Sequence, residues 1–262
     1  MRIRPWRQRN KEQIWSIRAA CCQIGADAEL CIKLLYHAPG SKEWHHHCFA
    51  PKKGPDMKSE MMNLFATPLY RGSLERSFSA VERDFFQQSL SDPVRAIGNY
   101  SSRNKHILDA PPMQALREIL QANLDNYFRT VFDTSNEVTL QITQSWLTLS
   151  RRGESHHPHT HPNSIASGVI YINVAPEDGI NFLRNDEYVW YELMRKNDNY
   201  YNASSYLINT RLGDIIIFPS NVKHGVREVK DDIERVSLSF NSFFSGDMSR
   251  EDFSNAIHLQ LK

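Results

Sequence analysis

Apolar residues recur at every second position in a series of short segments after residue 137, and this pattern constrains the fold more than any other feature. The first segment begins at Val138, and the polar residues between segments include Pro176 to Gly179 and Arg211 to Asp214. Further segments of strand character are Ser167–Val174, Ile180–Leu183, Tyr206–Asn209, Asp214–Phe218 and Arg235–Phe244. Many short strands separated by turns indicate a sandwich or barrel. No phosphate loop or dinucleotide fingerprint is present, which argues against a Rossmann-type fold.

Two helices are predicted before these strands. Ser79 and Glu82 have the spacing of a capping box, which predicts a helix that ends near Leu90. Apolar residues at helical spacing predict a second helix from Pro111 to about Phe132, with proline in the first turn. The expected fold class is therefore mainly β with flanking helices.

Composition changes sharply near residue 60. Residues 1–60 carry eleven Lys or Arg and six Asp or Glu, a net charge of +5, whereas residues 61–262 carry twenty and twenty-four, a net charge of −4. We expect residues 1–60 to be an N-terminal extension that is non-catalytic or disordered. Residues 61–262 are expected to form one domain, with helical support at 75–133 and a barrel at 137–245.

The same break separates the cysteines. All four lie in the first sixty residues, at Cys21, Cys22, Cys31 and Cys48. A main domain without cysteine has no disulfide framework, which fits a reducing cytoplasm. No apolar run is long enough to span a membrane, so we expect no membrane segment. The net charge of +1 gives no electrostatic reason to expect a nucleic-acid partner.

Four histidines lie within six positions, at His156, His157, His159 and His161. His159 and His161 form a His-x-His pair, and residues two apart on an extended chain face the same side. His224 follows a buried strand and is the candidate third ligand. Three imidazoles suit iron, copper, nickel or zinc. His157 is a further candidate ligand, whereas His156 is expected to be a surface histidine or a group that supports a ligand.

Arg235 and Ser237 are two residues apart on a predicted strand and therefore share one face. A guanidinium inside a barrel is costly unless it meets an anion. Its planar fork matches a carboxylate in two-point geometry. A histidine triad with an inward arginine thus describes a site for a chelating dicarboxylate.

The segments that carry these residues read RRGESHHPHTHPNSIASGVIYIN, GDIIIFPSNVKHGV and ERVSLSFN. Together they resemble the 2-oxoglutarate/Fe(II)-dependent oxygenase superfamily over residues 62–245. Within it, they are similar to a group of bacterial and phage oxygenases with a His-x-His-Pro…Ser-Gly-Val-x-Tyr pattern. The resemblance implies a double-stranded β-helix, or jelly roll, preceded by N-terminal helices.

The same resemblance assigns roles to individual residues. It implies that His159, His161 and His224 bind Fe(II), and that Arg235 with Ser237 binds the far carboxylate of 2-oxoglutarate. The implied reaction uses O2 and 2-oxoglutarate, hydroxylates a C–H bond, and releases succinate and CO2. The identity of the primary substrate is not implied, and a homodimer is one assembly that the sequence leaves open.

One position departs from the wider superfamily, which has a carboxylate where His161 stands. Asp186 or Glu187 is an alternative source of that carboxylate, in the long aromatic-rich insertion at 184–205. Two other functions stay open at this point. One is a cupin-type metal-dependent dioxygenase or isomerase without 2-oxoglutarate, although the cupin glutamate is absent here. The other is a non-catalytic binding module on a degenerate oxygenase fold.

Overall fold

A computed structural model describes residues 33–37, 44–48, 60–184, 193–250, 252 and 254–261. The chain divides into two compact units, residues 1–64 and residues 65–262. In the first unit, β1 (Lys33–His37) and β2 (Trp44–Cys48) form an antiparallel pair. Most of the predicted N-terminal extension lies outside the described residues, so its role stays a prediction.

The second unit begins with short elements and two helices. They are β3 (Tyr70–Ser73), α1 (Ala80–Ser89), β4 (Val94–Arg95), β5 (Tyr100–Ser101) and α2 (Gln114–Phe132), with 3-10 turns at Ile107–Asp109 and Pro111–Met113. The barrel strands follow: β6 (Val138–Ser150), β7 (His156–His159), β8 (Ala166–Asn173), β9 (Gly179–Leu183), β10 (Ser205–Asn209), β11 (Asp214–Pro219), β12 (His224–Val226) and β13 (Arg235–Met248), with β14 (Ile257–Leu259) beside β13.

The eight barrel strands form two antiparallel sheets. One has the order β10-β9-β12-β7, and the other contains the order β11-β8-β13-β6, extended by β3, β5 and β4. Consecutive strands along the chain thus lie in different sheets, except for β9 and β10, which pair directly. This order is that of a jelly roll. The expected mainly-β fold with two preceding helices is confirmed.

The larger sheet is covered on both faces. Leu238, Phe240 and Ile170 belong to a buried cluster that also contains Leu116, Leu120 and Leu124 of α2. The opposite face packs inside the barrel through Val169, Tyr171, Ile216 and Phe218 together with Ile180 and Phe182 of β9. Because both faces are buried, β11 reads as the nearly continuous apolar run DIIIFP rather than as an alternating strand.

The predicted capping box is present at the start of α1. The side chain of Ser79 accepts a hydrogen bond from the backbone N–H of Glu82, and Glu82 accepts one from the backbone N–H of Ser79. The second helix starts later than predicted, because Pro111 lies in a 3-10 turn and α2 begins at Gln114. No helix in the described part of the chain is long and apolar enough to cross a membrane.

Candidate metal centre

Three histidines, two from neighbouring strands and one from the loop after β7, meet at one end of the barrel. His159 ends β7 and lies opposite His224, the first residue of β12, in the strand register. His161 stands two residues beyond the end of β7. One ligand atom from each residue lies within 4.8 Å of the other two, and the Nε2 atoms of His161 and His224 are 3.2 Å apart. The structure thus brings together the three histidines that the sequence singled out.

Backbone carbonyls fix which nitrogen of each ring is available. The Nδ1 atom of His159 lies 2.8 Å from the carbonyl oxygen of His157, and Nδ1 of His224 lies 2.9 Å from that of Val222. A carbonyl oxygen only accepts hydrogen bonds, so both Nδ1 atoms carry the proton. The lone pair of each ring is therefore on Nε2, as in metal-binding histidines that are oriented by a second hydrogen bond.

The loop after β7 is fastened so that His161 faces the other two rings. The backbone N–H of His161 donates to the carbonyl oxygen of Ser220 at 2.9 Å. The hydroxyl of Ser220 lies 2.7 Å from that of Ser164 and 2.8 Å from that of Ser167. Asn163 adopts a left-handed backbone conformation with φ of 57°. These contacts account for His161, Asn163 and Ser164 in this loop.

Burial keeps the imidazoles neutral. It lowers the pKa of His161 to about 4, with a further contribution from His159, and it lowers the pKa of His224 to about 3. Burial also lowers the pKa of His159 below its ordinary value. At neutral pH all three rings are therefore in the uncharged form that binds metal ions.

The donor set fits a transition-metal ion. Two nitrogens that bind one ion at about 2.1 Å and at roughly a right angle stand about 3 Å apart, close to the separation of the Nε2 atoms of His161 and His224. The Nε2 lone pair of His224 points toward Nε2 of His161, so one ion can be bound by both atoms. Three imidazoles leave further coordination positions open for small molecules.

Arg235 and Ser237 face the inside of the barrel, as the sequence predicted, and both are almost fully buried. The Nε atom of Arg235 lies 2.8 Å from the carboxylate oxygens of Asp178. Its Nη1 atom lies 3.4 Å from the hydroxyl of Ser237, and the guanidinium carbon lies 5.4 Å from the ring centre of Tyr171. The anion that a buried arginine requires is thus present within the chain.

One cavity joins the triad to the arginine. It is lined by the three histidines, Arg235 and Ser237, together with His156 and Tyr171. Its volume of about 40 Å³ has room for a few water molecules, so a larger ligand must widen it. A second cavity of about 830 Å³, lined by turns at 175–179, 207–211 and 226–231, shares Arg235 with the first.

Sequence reasoning left the role of His156 open and missed Asp178. His156, expected to be either a surface histidine or a group that supports a ligand, lines the cavity and stacks on His159 with ring centres 4.3 Å apart. Asp178, the partner of Arg235, was seen only as part of a turn. The Asp-Gly step at the start of β9 marked the turn, but nothing local marked a partner 57 residues away.

The remaining predictions concern the insertion between β9 and β10. Asp186 and Glu187, the alternative carboxylates, lie outside the described residues, as do Tyr188, Trp190 and Tyr191. Tyr200 and Tyr201 are described and exposed, and their rings contact each other edge to face with centres 5.7 Å apart. No histidine, cysteine or carboxylate of the described residues joins the triad as a fourth member of its cluster.

Comparison with protein families gives a match that agrees with this geometry. Residues 144–241 match the family described as "Putative 2OG-Fe(II) oxygenase". This range contains the three histidines, Arg235, Ser237 and Asp178. The resemblance to 2-oxoglutarate/Fe(II)-dependent oxygenases is thereby confirmed. A search of curated proteins found no match.

Comparison with solved structures finds oxygenases of low sequence identity. One is an oxidoreductase of the 2OG-Fe(II) oxygenase family from Burkholderia pseudomallei, 16% identical, with a TM-score of 0.45, covering 66% of this chain and 83% of that one. Another is HygX from Streptomyces hygroscopicus with nickel, 2-oxoglutarate and hygromycin B bound, 15% identical, with a TM-score of 0.45 and coverage of 67% and 82%. A third is a prolyl-4-hydroxylase from Pseudomonas putida, 13% identical, with a TM-score of 0.40 and coverage of 67% and 93%.

Proposed function

We infer from the family match over residues 144–241 that this chain is a 2-oxoglutarate/Fe(II)-dependent oxygenase, and we propose that it hydroxylates a C–H bond of its substrate. His159, His161 and His224 hold Fe(II), and Arg235 with Ser237 binds the far carboxylate of 2-oxoglutarate. The enzyme consumes O2 and releases succinate and CO2. Neither a cupin-type reaction without 2-oxoglutarate nor a purely binding role calls for this arginine beside the triad.

The observation that carries the proposal is that the triad and the arginine line the same cavity. The three imidazoles are neutral and direct Nε2 atoms toward one point. A cationic guanidinium with a hydroxyl beside it stands on the wall of that cavity. This pairing suits a co-substrate that chelates a metal at one end and carries a carboxylate at the other.

Iron bound at the triad supplies the oxidation chemistry, and the protein supplies binding, orientation and a water-poor enclosure. Asp178 fixes the guanidinium of Arg235 through Nε, and Nη1 lies 3.4 Å from the hydroxyl of Ser237, so the remaining N–H groups of the guanidinium are left for a ligand carboxylate. Tyr171 is fully enclosed, and burial raises the pKa of its hydroxyl, so the ring stays neutral beside Arg235. Apolar residues such as Phe218 and Val169 on the same wall limit the entry of water.

A domain without cysteine between residues 61 and 262 suits work in a reducing compartment such as the cytoplasm. O2 and 2-oxoglutarate are the proposed small-molecule partners, and a homodimer is one form in which the enzyme could work.

A test is the formation of succinate from 2-oxoglutarate by the full chain with Fe(II) and ascorbate. Many oxidising sites turn over slowly without their main substrate, so succinate should accumulate in proportion to the protein. His161→Ala should abolish it, whereas His258→Ala, at an exposed histidine outside the cavity, should not. Equal succinate formation by wild type and His161→Ala would count against the proposed centre.

A further inference from the structure

A bulge in β7 turns His156 toward the cavity. His224 and Val226, two residues apart on β12, lie opposite His159 and His156, which are three residues apart on β7. Opposite residues of an antiparallel pair face the same side, so the extra residue brings His156 onto the side of His159. Gly225 allows this approach, because a Cβ there would lie 2.8 Å from the carbonyl oxygen of His156.

The bulge gathers a second group of three imidazoles. One ligand atom from each of His156, His157 and His159 lies within 4.8 Å of the other two. The ring of His157 has its centre 5.5 Å from that of His156 and 5.1 Å from that of His159. Only His159 also belongs to the triad, so two histidines of this group have no role in the proposed reaction.

His157 has an unsatisfied nitrogen. Its Nδ1 atom is buried and has no hydrogen-bond partner among the described residues. A buried polar nitrogen without a partner is costly, and such atoms in native proteins call for an explanation. A metal ion held together with the neighbouring rings would give this nitrogen a partner.

We propose that His156, His157 and His159 form a second binding site for a divalent transition-metal ion of the Zn²⁺, Ni²⁺ or Cu²⁺ type. Imidazole is a preferred ligand of these ions, and an all-histidine group without a carboxylate does not suit Mg²⁺ or Ca²⁺. Nitrogens bound to one tetrahedral ion at about 2.1 Å lie about 3.4 Å apart, so the three rings must move slightly closer together to bind it.

The second site competes with the triad for His159. Because Nδ1 of His159 donates to the carbonyl of His157, the ring has one lone pair, on Nε2, and one lone pair binds one ion. An ion held by His156 and His157 therefore removes His159 from the triad. This competition rests on the proposed function of the triad, whereas the second site itself does not.

The experiment measures Zn²⁺ binding to the full chain by equilibrium dialysis and metal analysis. The first variant, His161→Ala/His224→Ala, removes two triad ligands and keeps the second site. The next adds His156→Ala/His157→Ala to it. Because the two variants share every other residue, binding elsewhere in the chain, for example near His45 to His47, contributes equally to both. The first variant should bind one more Zn²⁺ per chain than the second, and equal binding would overturn the proposal.

A single substitution tests the second site even if the fourfold variant misfolds. His157 lies outside the cavity and is partly exposed, so His157→Ala in the His161→Ala/His224→Ala background should fold, which circular dichroism checks. Zn²⁺ affinity should fall at least about tenfold in this variant. Unchanged affinity would overturn the proposal even if the fourfold variant is unstable.

A third measurement separates this inference from the function of the triad. The variant His156→Ala/His157→Ala keeps the triad and should bind Mn²⁺ or one Zn²⁺ there. Because an ion in either site excludes the other from His159, the wild type should bind no more Zn²⁺ per chain than this variant. One additional Zn²⁺ in the wild type would contradict the competition for His159. Failure of this variant to bind Mn²⁺ when the wild type does would show that His156 or His157 serves the triad, which also contradicts a separate second site.

Discussion

The guanidinium of Arg235 and the carboxylate of Asp178 form an ion pair inside the barrel, with an N–O distance of 2.8 Å and each side chain only 2% exposed. The pair joins the start of β13 to the turn before β9. Burial of an ion pair removes the hydration of both charges, and removal of one partner leaves an uncompensated charge. Arg235 thus has an anion within the protein, and a ligand carboxylate would be its second.

Asp178→Asn should destabilise the ligand-free protein by about 3 to 5 kcal/mol, because Arg235 is left charged and unpaired. With Mn²⁺ present, 2-oxoglutarate should then raise the melting temperature of the variant more than that of the wild type, since it supplies the missing carboxylate. Glu177→Gln is the matched control, because it removes the same charge from the neighbouring, exposed position. Equal 2-oxoglutarate shifts in wild type and Asp178→Asn would show that Arg235 does not meet the co-substrate.

Substitutions of His161 test whether a histidine binds the metal where the two-histidine, one-carboxylate pattern has a carboxylate. His161→Ala should weaken metal binding by more than about 100-fold, beyond the loss expected for a residue that only supports a ligand. His161→Asp should bind metal better than His161→Ala, because a carboxylate is also a metal ligand and carries a compensating charge. Isothermal titration with Mn²⁺ measures both. Equal affinity of the alanine and aspartate variants would exclude position 161 from the metal site.

Gly168 on β8 faces a ring of the core. A Cβ at this position would overlap the side chain of Phe240, which is fully buried on β13. Gly168→Ala should therefore lower the free energy of unfolding by about 1 to 3 kcal/mol, the usual cost of overpacking. Urea denaturation measures the change. In a Phe240→Leu background the same substitution should cost less, and an undiminished cost would show that the ring is not the obstacle.

The charge of Glu82 should make the free energy of unfolding depend on pH. The guanidinium of Arg76 holds the pKa of Glu82 below its usual range, helped by the hydrogen bond from Ser79. The carboxyl pKa is lower in the folded protein than in the unfolded chain. The ionised carboxylate therefore adds to the free energy of unfolding above about pH 5, and this contribution is lost as pH falls through the lowered pKa. Glu82→Gln should cost roughly 1 to 2 kcal/mol at pH 7, and the difference from wild type should shrink toward pH 3. A constant difference would contradict the shift.

Local rules account for the parts of the fold that were predicted. The capping box at Ser79 and the alternating segments after Val138 depend on nearest neighbours along the chain, and the structure has them where the sequence placed them. The start of α2 was predicted too early, because proline suits a 3-10 turn as well as the first turn of a helix.

The parts that were missed or left open depend on contacts between distant segments. His156 faces the cavity only because β7 bulges against Gly225 of β12, and a regular two-residue period cannot show that. Asp178 meets Arg235 because the turn before β9 lies beside the start of β13. Charge and burial led the sequence analysis to expect an anion beside Arg235, but not one from the chain itself.

The most direct test of the proposed centre is a series of melting temperatures for the wild type and Arg235→Ala, with Mn²⁺, with 2-oxoglutarate, and with both. The wild type should be stabilised by Mn²⁺, and further stabilised by 2-oxoglutarate only when Mn²⁺ is present. Arg235→Ala, although less stable, should keep the Mn²⁺ shift and lose the 2-oxoglutarate shift. A 2-oxoglutarate shift that persists in Arg235→Ala, or that needs no metal, would contradict the assignment of the histidine triad and Arg235 to one site.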